Sequence, residues 1–269
     1  MRGGIAVNFD SSLIAVSSSD TNTVKIYTID GTGGIQVTGT PVTYSSLSTK
    51  TTTGSPFHCF VSFVRRGSVD TLLIVDAGNL RIVEISVTGT LIRNIAVTVQ
   101  PDAVSYSRGV ILVSAYAAST VTKLDYVAAS LIQTIVISTV ANNAFGTRTS
   151  KDGLYFFVAE YANNVVSKWD LNTGVKVSEV ATQVANSISN PSDILECDDG
   201  SLIIVSIGTN TLVVVNSAGV TTGTVGSTGS SPGQLNVPFS LAYSSKHGVL
   251  VKEILSGGRV QGIPASSGP

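Results

Sequence analysis

The residue types that carry most enzyme chemistry are scarce in this chain. It has two histidines, His58 and His247, and two cysteines, Cys59 and Cys197. A zinc centre built on imidazole needs several such ligands around one ion, with a position left open for substrate. His58 follows Pro56 by two residues in an extended stretch, and His247 lies in the turn-like SKHG. The two fall on different parts of their local units, so a shared zinc is not expected. No P-loop, C-x-x-C or H-E-x-x-H spacing occurs. The glycine-rich GTGG (31–34) and GSTGSSPG (226–233) open no helical pattern, so they read as loops and not as phosphate cradles.

What the chain has in quantity is hydroxyl and apolar surface. Charged residues make up 12% of its 269 residues, against about 25% in an ordinary domain. The net charge is −1, and the 16 Lys and Arg are scattered, with Arg65-Arg66 an adjacent pair placed in a turn. No basic field is present to hold nucleic acid. The longest apolar run, LIIVSIGTNTLVVV (202–215), is broken by Gly208, Thr209 and Asn210. It is short of the ~20 residues that span a bilayer as a helix. Neither a signal peptide nor an N-x-Ser/Thr sequon with a permitted middle residue is visible. Low charge with a hydroxyl-rich composition suits an extracellular or surface protein, or one covered in a larger assembly.

The elements that position these residues come from a repeat. IVDAGNLRIVEI (74–85) and VAEYANNVVSKW (158–169) share one pattern, and related segments begin at Val16, Val113, Val205 and Val251. The intervals are 58, 39, 45, 47 and 46, four of them close to the ~40–50 residues of a propeller blade. Each unit opens on a short strand, often after Pro, then a turn such as KDG or DDG, then two apolar strands joined by a polar turn, then a fourth strand. Runs rich in Val, Ile, Thr and Tyr between turn residues give antiparallel strands, and no stretch has a capped helical period. The expected fold is all-β: a six-bladed β-propeller of four-stranded antiparallel blades. Blades are expected near 5–44, 56–97, 100–137, 143–183, 190–225 and 237–263, in one domain over 1–269, with a Ser/Thr-rich loop at 44–55. The last blade is expected to stop after its third strand, at GRVQGI (258–263): either the sequence belongs to a longer polypeptide, or a partner covers the edge, or the blade has three strands, and the low charge favours the first two. An uncovered edge there invites pairing with another chain. Asn22, Asn79, Asn163 and Asn210 are placed equivalently in the turn between second and third strands, where Asn tolerates a left-handed backbone.

Asp76, Asn79, Arg81 and Ile82 in VDAGNLRIVEI, after a Pro-led strand, resemble the NHL repeat. SKDGLYFFVAEYANNVVSKWDLNTG (150–174) is similar to the YVTN-type repeat of surface-layer and lactonase-like propellers. The resemblance implies a scaffold that binds proteins, glycans or RNA. Some six-bladed relatives are metal-dependent lactonases and lyases. A lactonase-like calcium site requires oxygen ligands converging on the central channel. The innermost strands offer Asn8, Asp102 and Asp193 for it, beside His58, Thr147 and Ser240.

A binding face is expected where long loops meet a rigid scaffold. TGTPVTYSSLSTKTTTGSP (38–56) and TVGSTGSSPGQLNVP (224–238) lie on the face of the polar turns, with Tyr116, Tyr161 and His58 as contact residues. Cys59 and Cys197 fall on opposite blades, too far apart for a disulfide, and are expected as two buried thiols. The leading expectation is a non-enzymatic binding or scaffold module with a protein or glycan partner, without a cofactor, on the cell surface. The competing one is a calcium-dependent hydrolase or lyase.

Overall fold

The computed structural model describes residues 3–30, 36–47, 60–137, 143–255 and 258–263. They form six antiparallel sheets, five of four strands and one of three. The first blade holds β1 (Ile5–Val7), β2 (Leu13–Ser18), β3 (Thr23–Asp30) and β4 (Gln36–Tyr44). The second holds β5 (Val61–Arg66), β6 (Val69–Asp76), β7 (Arg81–Ser86) and β8 (Leu91–Ala96). The third holds β9 (Ala103–Ser107), β10 (Val110–Ala115), β11 (Thr120–Asp125) and β12 (Ser130–Val136). The fourth holds β13 (Ala144–Thr149), β14 (Tyr155–Glu160), β15 (Val165–Asp170) and β16 (Lys176–Thr182), followed by one helical turn, α1 (Gln183–Asn186). The fifth holds β17 (Pro191–Glu196), β18 (Leu202–Ser206), β19 (Thr211–Val215) and β20 (Thr221–Val225). The sixth holds β21 (Pro238–Ser244), β22 (Gly248–Glu253) and β23 (Val260–Ile263).

The innermost strands pack in a ring: β1 against β5, β5 against β9, and so on round to β21 against β1. Among the described residues no strand is exchanged between first and last blades. The ring closes on packing of Ile5 and Ile14 against Ala242 and Leu250, and on the bond from Ile5 N to Ser240 Oγ at 3.3 Å. The second strands are buried almost end to end, as in Leu72–Val75 of β6, because each is sandwiched between neighbouring blades. That is why they read as continuous apolar runs and not as alternation.

The turn after each second strand is four residues long in blades one to five, and its last residue is left-handed. Asn22, Leu80, Ser119, Asn164 and Asn210 all have φ between 48 and 56°, and Gly258 closes the sixth turn at 79°. Asn79 and Asn163 sit one residue earlier, so the four asparagines split into two positions. Asn22 and Asn210 take the left-handed place. Asn79 and Asn163 instead donate to the buried acids Asp76 (2.9 Å) and Glu160 (2.8 Å). The same frame moves the fifth repeat's anchor from Val205 to Ile204, since Ile207 follows β18 as Tyr161 follows β14. Arg65 and Arg66 end β5 and are not in the turn.

Bulges in the inner strands aim side chains into the channel. In β13 the register shifts between Ala144 and Thr147, and Gly146 lies in the shift. A Cβ at Gly146 would stand 2.3 Å from the Ser192 carbonyl oxygen, so only glycine lets β13 approach β17 this closely. The equivalent shifts in β17 and β21 follow Pro191 and Pro238.

Candidate functional site

The starts of the inner strands bring phenylalanines from alternate blades to the channel axis, Phe145 and Phe239 within the register shifts of β13 and β21 and Phe60 directly before β5. Phe60, Phe145 and Phe239, from blades two, four and six, meet with ring centroids 5.4–5.9 Å apart. All three are buried, and they plug the channel near the face of the left-handed turns. Tyr116 and Tyr161 stand on this plug. Tyr116 meets Phe145 edge-on at 5.5 Å, and the two tyrosines meet each other at 5.7 Å.

Tyr116, Tyr161, Phe145 and Phe239, with Ile207, Val237, Ile254 and Leu255, line a cavity of about 220 Å³. Tyr116, Tyr161, Ile207 and Ile254 are one position repeated, the residue directly after the second strand in blades three to six. The same position carries Ser19 and Ala77 in blades one and two. The apolar wall is therefore one-sided. The lining is almost wholly carbon, and the phenols are its polar handles. Burial pushes the Tyr116 hydroxyl up, with Tyr161 and Asp102 adding to the effect, so it remains a donor at neutral pH.

The sequence-based site residues fall into distinct places. Tyr116 and Tyr161 come together as cavity walls. His58 and Cys59 lie outside the described residues, as do 48–56 of the first long loop, and its start is not loop but strand, since β4 runs to Tyr44. Asp102 belongs to the cavity indirectly: its carboxylate accepts the Tyr116 amide and fixes that ring's backbone. Asp193 belongs to the channel wall. Arg148 grips it with Nε and Nη2 at 3.2 and 3.0 Å, and Ser240 Oγ and Leu241 N add bonds at 3.0 and 2.9 Å. Asn8 lies at the β1–β2 turn. It donates to Ser12 and Asp70 and accepts the amides of Ser12 and Leu13.

Asn8, Asp102 and Asp193 thus have separate partner sets. Asp193's oxygens are already taken by a guanidinium and three further protein donors, Ser240 Oγ and the amides of Leu241 and Ile194. Calcium binds where several oxygens face one empty point, and this donor set does not fit it. No group of three or more His, Cys, Asp or Glu that could hold a metal occurs among the described residues. Cys197 is a buried free thiol whose pKa is raised by burial. Gly229–Gly233 does carry the G-x-S-x-G spacing, but in a loop closed by a Thr228–Leu235 bridge. A nucleophile elbow needs a strand-to-helix turn.

Sequence reasoning missed Ile207, Val237, Phe145, Phe239, Ile254 and Leu255. The one available signal was the left-handed turn residue, which aligns Ile207 with Tyr161 once Asn210 is matched to Asn164.

No protein-family model matches the chain, and no curated protein matches it. The NHL- and YVTN-type resemblance therefore stands on the repeat's own residues. Solved structures do match. A streptogramin B lyase superposes with a TM-score of 0.62 at 12% identity, over 93% of this chain and 89% of the other. A selenomethionine-substituted virginiamycin B lyase from Staphylococcus aureus gives 0.60 at 12%, over 98% and 84%. At that identity the likeness is one of fold.

Proposed function

We propose that this propeller binds a small, ring-bearing, uncharged organic group in the cavity on its axis. The observation that carries this is the convergence of Tyr116, Tyr161, Phe145 and Phe239 on one cavity from three different blades. An engineered cavity of about 150 Å³ holds benzene, so about 220 Å³ suits a phenyl to indole-sized group. The apolar lining favours a ring over a glycan, whose hydroxyls would lose water without gaining partners. Tyr is suited to the task because its face packs and its hydroxyl orients.

The test is isothermal titration with benzyl alcohol and indole on the wild type and on Tyr161→Ala. Saturable binding that weakens about tenfold or more in the variant supports the reading. Absence of binding to the wild type at millimolar ligand overturns it.

A second reading is that the bound molecule is also cleaved. It is favoured by the two similar structures, a streptogramin B lyase and a virginiamycin B lyase, and it fits a small-molecule site better than a bare scaffold does. Incubation with a streptogramin B compound, followed by mass spectrometry, separates the two. A cleaved product makes the chain an enzyme, and an intact ligand leaves a binder.

A further inference from the structure

The rim of the cavity contains a strained residue that the chain's own repeat shows how to avoid. At three successive junctions the last turn residue of one blade accepts the amide that leads into the next. Ser119 Oγ accepts from Asn143, Asn164 Oδ1 from Asn190, and Asn210 Oδ1 from Val237, at 3.2, 2.7 and 2.8 Å. The carbonyls of Asn143, Asn190 and Val237 in turn accept the amides of Tyr161, Ile207 and Ile254. The position therefore makes equivalent backbone bonds in blades four, five and six. It is Asn in the first two and Val in the third.

Asn190 and Val237 are both left-handed, at φ 50° and 55°, and both precede a proline. Asn visits this region with little penalty, whereas a β-branched residue there is an outlier. Val237 is the one Val, Ile or Thr with positive φ among the described residues. Such strain persists when the surroundings over-determine it, and it clusters at functional sites.

The surroundings do over-determine it. Besides the Asn210 and Ile254 bonds, the preceding amide, Asn236 N, is held by Glu253 Oε2 at 2.8 Å. Glu253 is fully buried and is gripped by Arg259 and Gln261. Arg259 and Gln261 also clasp the loop before Val237, through the carbonyls of Ser230 and Gln234. The strained side chain forms part of the cavity wall.

We infer that Val237 is the specificity-determining residue of the ring site: its isopropyl group sets the size of ring admitted and excludes polar ones. This depends on the ring-site reading above and deepens it. An Asn in its place would keep every backbone bond and relieve the strain, but would face the cavity with an amide.

The test uses the full chain as wild type, Val237→Asn and Val237→Gly, with benzyl alcohol, indole and naphthol as probes. Each is titrated calorimetrically, and melting temperatures are taken without ligand. Val237→Asn is expected to melt no lower than wild type and to bind indole about tenfold more weakly. Val237→Gly also relieves the backbone and is expected to shift preference from indole toward the larger naphthol. If Val237→Asn melts more than about 4 °C below wild type, strain at this position is refuted. If wild type binds but both variants keep its order of ring sizes, the specificity role is refuted while the ring site stands. If wild type binds none of the three, the ring site itself falls.

Discussion

Replacing Asp193 by Ala separates a structural acid from a metal ligand. Its side chain is 1% exposed and accepts five bonds: two from Arg148, one each from Ser240 Oγ and Leu241 N, and one from the amide of Ile194. Removing one partner of a buried pair costs about 3–5 kcal/mol, because the other charge is left unmatched. The Arg148 side chain is 26% exposed, so water can recover part of its charge. The lower end, about 3 kcal/mol, applies. At about 2–4 °C per kcal/mol, the midpoint should fall by about 6–12 °C. The assay is differential scanning calorimetry, run with calcium and with chelator. Asp193→Leu combined with Arg148→Met should recover part of the loss, since no charge is then orphaned. A calcium site filled at a hundredfold excess over Kd would instead stabilise the wild type by about 2.7 kcal/mol. A wild-type midpoint that rises with calcium, with the rise lost in Asp193→Ala, would refute the assignment of Asp193 to Arg148. So would an Asp193→Ala variant that melts with the wild type.

Three more outcomes follow from the same bonds. Burial opposes charge on Glu84, but hydrogen bonds from Tyr126, Thr71 and Arg93 outweigh it and hold the carboxyl below its ordinary range. A depressed folded-state pKa stabilises above the unfolded value of about 4.3 and is lost as pH falls below it. The stability gap between wild type and Glu84→Gln should be full at neutral pH and close on acidification in urea melts, and a gap independent of pH would refute this. Leu80 is left-handed at φ 48° where blades one, four and five use Asn, so Leu80→Asn should gain about 0.5–1 kcal/mol in urea unfolding. A loss there would mean that Leu80's side chain matters more than its backbone. Arg259→Ala removes the clasp on Ser230, Ser231 and Gln234, so limited proteolysis should cut within 229–234 faster than in wild type, and an unchanged rate would refute the clasp.

The blade was legible because its determinants are local. A second strand such as Leu72–Val75 is apolar throughout, and the turn after it needs a left-handed residue, so one pattern recurs about every 45 residues. Tyr116 and Tyr161 were legible as candidates because each is a large, half-polar side chain on the face that carries the long loops. Ile207 was not, because a one-residue offset in the fifth repeat's anchor hid its equivalence to them. In a strand that offset exchanges the two faces.

The sequence by itself determined the blade, its turns and the number of its copies, since strand alternation and turn chemistry act over a few residues. Only the tertiary structure decided what the buried charges do and where a ligand would sit. Arg148 reaches Asp193 across a blade boundary 45 residues away. Phe145 and Phe239 meet because the ring closes, not because anything near them in the chain requires it. The contacts that make the cavity and occupy the acids are set by the radius of the ring and the stagger between blades. Those are properties of all six sheets packed together, and no single repeat encodes them.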